Sequence, residues 1–198
     1  MKIGVLALQG TFFEHIHSVR KLGAEAIEIR KPQELEGVSG IIIPGGESTV
    51  ITRLIHDYNL FDPLRKLAEN SVPFMGTCAG MICLASDIGS TVELETLHLM
   101  DIRVNRNAFG RQLSSFETEL YIPILGEKPF PGLFIRAPEV ESAGERVGII
   151  ARLGDGRIVA VRQGGILATA FHPELIDDLR LHEYFLQLAR QFACKEAA

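Results

Sequence analysis

The stretch "VPFMGTCAGMICLAS", residues 72 to 86, holds three patterns in fifteen positions. Its first residues form a short apolar run of the length a buried strand takes. Its last residues space their apolar side chains as a helix does. Between them sits Gly76-Thr77-Cys78-Ala79-Gly80, a Gly-x-Cys-x-Gly turn. This order predicts a strand that turns sharply into a helix, with flanking glycines letting the two backbones approach, the mechanics of a Gly-x-Ser-x-Gly nucleophile elbow. The motif admits two readings of Cys78. At a helix N-terminus the partial positive charge favours thiolate over thiol and makes a nucleophile; free cysteine is equally at home as a small buried hydrophobe. Cys83, inside the following helix, and Cys194, near the polar C-terminus, lack the elbow setting and read as structural or incidental.

Upstream of the elbow, "KIGVLAL" (2–8), "FFEHIHSVRKLG" (12–23), "AIEIR" (26–30) and "GIIIPGG" (40–46) alternate strand-like and helical patterns, a βαβ rhythm. In the first helix Phe12, Ile16, Val19 and Leu22 recur at helical spacing, which leaves Glu14, His17, Ser18 and Lys21 for the water side. Gly23 stands where such a helix ends. "STVITRLIHDYN" (48–59) and "FDPLRKLAEN" (61–70) continue the helical series.

Downstream, "LHLMDIRVNRN" (97–107), "SFETELYIPI" (115–124) and "GLFIRAP" (132–138) read as strands, and Gly154-Asp155-Gly156 between two β-branched runs is a hairpin signal. "LIDDLRLHEYFLQLARQF" (175–192) closes the chain as an amphipathic helix. The expected fold is a three-layer α/β sandwich in one domain spanning 1–198, with a mixed central sheet that is mainly parallel in its middle and antiparallel on one side.

Composition narrows the function classes. With 198 residues, 46% apolar and 23% charged, the chain has the make-up of a folded globular protein. A net charge of −5 removes the positive field that binding to a nucleic-acid backbone needs. Three cysteines are too few and odd for a disulfide framework, which places the chain in a reducing compartment. The opening apolar run ends at Gln9 without a cleavage site, and no run reaches the roughly 18 residues of a membrane span. The expected location is the cytoplasm, with neither nucleic acid nor membrane as partner.

A cysteine nucleophile needs a base, and the base an orienting group. "FHPE" (171–174) offers both: His172 follows the apolar run "ILATAF", where strand-end sites of open α/β sheets lie, and Pro173 stiffens the spacing to Glu174. The same three residues also suit a plain helix start. "PGGES" (44–48) follows the strand "GIII" and can present backbone N–H groups to an oxyanion, or serve only as a loop in which Ser48 caps a helix. His15 and His17, two apart on a helix, point in different directions and make a poor metal pair. Arg106 and Arg136 stand at the ends of apolar runs, placed to clamp a carboxylate or simply to be solvated. Neither a zinc pattern nor a phosphate loop is present, so no metal is expected.

Taken as a set, "LALQG" (6–10), "EHIH" (14–17), "PGGEST" (44–49), "GTCAGMI" (76–82), "RNAFGRQ" (106–112), "FIRAP" (134–138) and "FHPEL" (171–175) resemble, in order and spacing, the glutaminase subunits of pyridoxal 5′-phosphate synthases, which are class I, triad-type glutamine amidotransferases. Met81, where leucine is usual, is a mild departure, and "SDIGSTVELET" (86–96) and the tail after 190 carry no signature. The resemblance implies a flavodoxin-like fold and a triad of Cys78, His172 and Glu174. It implies that Gly46, Glu47, Ser48, Arg106, Ile135 and Arg136 line the glutamine site, with the N–H groups of Gly46 and Ala79 as oxyanion donors. It further implies L-glutamine as substrate, ammonia handed to a β/α-barrel synthase subunit, and no cofactor, pyridoxal 5′-phosphate being the product of the complex. The residues leave two other readings open: a glutaminase serving another acceptor synthase, and a non-catalytic thiol sensor or binding module. "RNAFGRQ" and "FIRAP" speak against the first, and the second leaves His172 and Glu174 without a role.

Overall fold

A computed structural model describes residues 1–89, 94–106 and 115–196. Residues 90–93 and most of "RNAFGRQ" (107–112) lie outside the described residues. The first half runs β1 (Lys2–Leu6), α1 (Phe12–Lys21), β2 (Glu25–Ile29), β3 (Gly40–Ile43), α2 (Ser48–Asp57), α3 (Phe61–Glu69), β4 (Phe74–Thr77) and α4 (Ala79–Leu84). The second half adds β5 (Ala85–Asp87), β6 (Met100–Asn105), β7 (Ser115–Leu120), β8 (Phe130–Ile135), β9 (Glu139–Ala143), β10 (Gly148–Arg152), β11 (Ile158–Gln163), β12 (Ile166–Thr169) and α5 (Arg180–Glu196).

The main sheet has the order β2-β1-β3-β4-β12-β11-β9-β6-β5, with β10 paired to β11. Its first five strands are mutually parallel. Beyond β12 the β11, β9 and β10 pairings are antiparallel, and β5 returns parallel to β6. The mixed, centrally parallel sheet expected from the sequence is therefore present. The first five strands follow the flavodoxin order, in which the chain steps outward from β1 to β2 and then reverses through β3. Right-handed crossovers make that reversal put helices on opposite faces. Accordingly α1 packs on β1, β2 and α5, while α2 packs on α4, which lies against β3 and β4.

Burial explains the composition of the strands. β3 and β4 are buried along their whole length, "GIII" and "FMGT", because helices cover both faces. β6, half covered, alternates buried and open residues over Met100–Val104.

Several boundaries differ from the sequence expectation. The helix after Cys78 stops at Leu84 and the chain turns extended at β5. The closing helix begins only at Arg180, because Pro173–Leu175 forms a separate 3-10 turn. "YIPI" leaves its strand at Tyr121 for a 3-10 turn that begins at Pro123, whose ring removes a ladder donor. Ser18 is buried rather than solvated, since it lies three residues beyond His15 on the face that meets the core. Gly23, at φ +77°, ends α1 with its N–H on the Arg20 carbonyl.

Candidate active site

Four loops at the C-terminal ends of the parallel strands meet: residues after β1, after β3, after β4 and after β12. Cys78 occupies the turn between β4 and α4 with φ +48° and ψ −103°, a conformation costly for any residue with a side chain. Two contacts hold it there. The Cys78 N–H donates to the Thr169 carbonyl at 2.8 Å, extending the β4–β12 pairing, and its own carbonyl accepts from Met81 N–H at 3.1 Å. The elbow closes because its glycines carry no side chains. A β-carbon on Gly80 would lie 2.0 Å from the Ile43 carbonyl oxygen, and one on Gly76 would lie 2.6 Å from the Gly80 oxygen.

The structure brings His172 and Glu174 to Cys78. His172 and Cys78 stand side by side under the Gly45 position, and Nδ1 of His172 lies 2.7 Å from Oε1 of Glu174. Thr11 donates its hydroxyl to that same oxygen at 2.6 Å. The His172 backbone N–H donates to the Leu133 carbonyl at 2.9 Å, so the separate β7–β8 ribbon anchors the loop. The side chains of Cys78, His172 and Glu174 are all buried. Burial opposes charge on Glu174, yet His15, His172 and the Thr11 hydroxyl outweigh it and hold the carboxyl down, at about 2. Burial also opposes charge on His172, but the neighbouring Cys78 and Glu174 side chains hold the imidazolium up, to about 10. An ionised carboxylate and a proton-holding imidazole beside a sulfur are what thiol acyl transfer requires.

The "PGGES" loop passes directly over this group. A β-carbon on Gly45 would fall 2.3 Å from Cε1 of His172 and 3.4 Å from Cβ of Cys78, so only glycine fits. Its carbonyl accepts the Thr11 N–H at 3.0 Å, and Gln9 Oε1 accepts the Glu47 N–H at 2.8 Å. The "LALQG" segment thus fixes the β3 loop. Ser48 does not cap α2. Glu47 does, its carboxylate accepting from Thr49 N–H at 3.2 Å and Val50 N–H at 3.0 Å, because a longer side chain at that position reaches back over the first turn. Arg106 joins this end of α2, with Nη2 3.0 Å from Thr49 Oγ1 and 3.7 Å from Glu47.

On the other side, the Ile135 carbonyl lies 3.8 Å from Sγ of Cys78, and Arg136 follows with φ +44°. Ala79, the first residue of α4, presents an N–H that the helix itself leaves unused. His172, Glu174, the Gly45 position and the Ile135 carbonyl are therefore grouped at Cys78, while Glu47 and Arg106 meet at the neighbouring end of α2. Among the described residues no cluster of three or more His, Cys, Asp or Glu could hold a metal ion. No described helix is long and apolar enough to cross a membrane.

Sequence reasoning missed a set of residues behind Glu174. His15, read only as half of a poor metal pair, is fully buried with Nε2 3.4 Å from Glu174 Oε2 and 3.1 Å from Thr77 Oγ1. Its Nδ1 lies 2.9 Å from Nε2 of His182, also fully buried. A signal existed for His182: it shares the helical spacing of Phe185, Leu186 and Ala189, all fully buried.

Comparison with known proteins adds independent observations. The model of the SNO glutamine amidotransferase family matches residues 5–191. A pyridoxal 5′-phosphate synthase subunit PdxT from Dehalococcoides mccartyi is 55% identical over 193 residues, covering 97% of this chain and 99% of that protein. The protein of the same name from Moorella thermoacetica is 55% identical over 188 residues, covering 95% and 99%. A crystal structure of a glutamine amidotransferase superposes with a TM-score of 0.89 at 50% identity, covering 94% of this chain and 98% of that one. A GMP-synthase-type protein from Thermoplasma acidophilum, 16% identical with a TM-score of 0.72 over 100% of this chain and 98% of its own, shares the fold.

Proposed function

The chain belongs to the SNO glutamine amidotransferase family, and from that membership we propose that it hydrolyses L-glutamine to L-glutamate and ammonia and passes the ammonia to a synthase subunit that makes pyridoxal 5′-phosphate. The observation that carries the chemistry is the buried Cys78–His172–Glu174 line under the Gly45–Gly46 loop. The full-length similarity to PdxT subunits supports the acceptor.

In this reading His172 takes the thiol proton and the Cys78 sulfur adds to the side-chain amide carbon of glutamine. The resulting oxyanion is met by the N–H groups of Gly46 and Ala79, donors of the kind whose loss costs acyl-transfer enzymes about 10²–10³ in rate. His172 then protonates the departing nitrogen, the C–N bond breaks, and ammonia leaves a γ-glutamyl thioester on Cys78. Water, deprotonated by the same histidine, adds to the thioester; collapse expels the sulfur and releases glutamate. Glu174 stays ionised throughout and stabilises the imidazolium. Glu47, Ser48, Arg106, Ile135 and Arg136 line the pocket for the amino-acid end of glutamine, with the Arg106 and Arg136 guanidinium groups suited to its carboxylate.

The chain needs no cofactor for these steps, and pyridoxal 5′-phosphate is the partner's product. The acceptor is a β/α-barrel synthase subunit, and the complex works in the cytoplasm. Ammonia released to bulk water would be protonated and lose its nucleophilicity, so delivery is direct. The test is glutamate release from glutamine with and without the synthase subunit. Strong stimulation by the partner, together with labelled nitrogen entering pyridoxal 5′-phosphate, is the expected result. Full activity of the isolated chain with no transfer of label would overturn the acceptor assignment.

A further inference from the structure

Glu174 has two carboxylate oxygens, and the triad uses one. Oε1 receives His172 and Thr11. Oε2 is buried and has no partner of hydrogen-bond geometry among the described residues, yet it lies 3.4 Å from Nε2 of His15. A bare carboxylate oxygen buried in this way is costly. The hydrogen-bond possibilities of His15 decide what it does there.

His15 and His182 share one hydrogen bond, Nδ1 to Nε2 at 2.9 Å, so one nitrogen carries the proton. If His15 Nδ1 carried it in a neutral ring, the bare Nε2 lone pair would face Oε2 of Glu174, lone pair against carboxylate. His182 would also hold a buried Nδ1–H with no acceptor, since its Nδ1 has no partner among the described residues. The opposite arrangement removes both conflicts. His182 Nε2–H donates to His15 Nδ1, and His15 Nε2–H is shared with Thr77 Oγ1 while its positive end stands 3.4 Å from Glu174 Oε2. What is left over is a single imidazole lone pair, a smaller loss than an unpaired N–H and a repelled carboxylate.

We propose that His15, with its tautomer set by His182, is a positioning residue of the triad. Its N–H, held by Thr77, the residue before Cys78, turns a positive dipole toward the second oxygen of Glu174 and so orients the carboxylate. A neutral donor suits the task better than a cation. A charged His15 would compete with the His172 imidazolium for the carboxylate, whereas a dipole orients Glu174 and leaves its charge for His172. Burial, the largest influence, pushes His15 down against the upward pull of Glu174 and Glu14, with His172 adding to the lowering. Burial likewise pushes His182 down, to about 3, with His15 lowering and Glu174 raising it. The groups facing the pair are thus Glu14 from its own helix, Glu174 and His172 from the loop after β12, and uncharged Thr77.

The inference rests on the glutaminase reading of the triad, and two measurements separate it from that reading. The first is glutamine hydrolysis by the assembled complex. His15→Phe, which keeps a ring but no donor, is expected to lower kcat about 10-fold with KM little changed. His15→Gln, whose amide can donate from the Nε2 position, is expected to restore most of it. The second needs neither glutamine nor partner: iodoacetamide alkylation of Cys78 against pH in a Cys194→Ala background. With Glu174 loosened, His172 takes up a proton less readily at neutral pH. His15→Phe should therefore slow alkylation at neutral pH but not at alkaline pH, with His15→Gln near the parent. His182→Leu should show a smaller loss of the same kind and decides the matter should His15→Phe not fold. Equal losses in the Phe and Gln variants at every pH, or unchanged profiles in all of them, would overturn the proposal. A parent complex with no glutaminase activity would sink the proposed function while the alkylation profiles still judged His15.

Discussion

Nδ1 of His172 and Oε1 of Glu174 lie 2.7 Å apart with one proline between them in the chain. Pro173 begins a 3-10 turn, and that turn folds the carboxylate back under the imidazole. His172 and Glu174 are therefore a local unit. Cys78, 94 residues before His172, is brought to them by the β4–β12 pairing, in which Thr77 lies opposite Thr169.

Replacing Cys78 with Ala removes the sulfur proposed to carry the glutamyl group. Glutamate release by the assembled complex should fall to background, while glutamine still stabilises the variant in a thermal-shift assay. Retained turnover would refute the nucleophile assignment.

Glu174→Gln keeps a similar shape but loses the charge that supports the His172 imidazolium. By the precedent of triads with the acid neutralised, kcat should drop about 10²- to 10⁴-fold. Single-turnover assays would locate the loss in thioester formation.

Stability should pass through a maximum near neutral pH. His172 is raised in the fold, so its contribution is full below its ordinary 6.5 and is lost as pH rises through about 10. His182 is lowered, so the unfolded chain takes up protons first and stability falls as pH drops from 6.5 through about 3. Glu174, also lowered, adds a loss between its ordinary 4.5 and about 2. His182→Leu should flatten the acid side of a plot of Tm against pH; an unchanged slope would contradict this assignment.

Gly80→Ala places a methyl group 2.0 Å from the Ile43 carbonyl, a backbone atom that cannot swing aside. Overpacking of this kind costs about 1–3 kcal/mol or more. Urea denaturation should show a lower midpoint, and the displaced elbow should reduce glutaminase activity as well.

Arg106→Ala should raise KM for glutamine far more than it lowers kcat, because its guanidinium sits beside Thr49 and Glu47 at the rim and not at the sulfur. A steady-state comparison in the complex would show the split. A loss confined to kcat would move Arg106 out of the binding role.

Patterns of short range are legible in the chain itself. The strand, Gly-x-Cys-x-Gly and helix order of residues 72–86 predicts the elbow, since glycine spacing and apolar periodicity act between near neighbours. Ser18 and the cap of α2 are misread for a related reason. Propensity ranks serine as a cap and as a surface residue, but packing against the core and the reach of the Glu47 carboxylate decide the two positions.

The amino-acid sequence by itself determined the alternation of elements, the stiff His172-Pro173-Glu174 unit and the glycines that let β3, β4 and α4 crowd together. Tertiary structure alone decided what stands behind the triad. His15 and His182 lie 167 residues apart, and the contact of α1 with α5 across the sheet face is what joins them. Nothing in local spacing encodes a hydrogen bond of that separation; the sheet order creates it, by reversing at β3 and laying both helices over the same face.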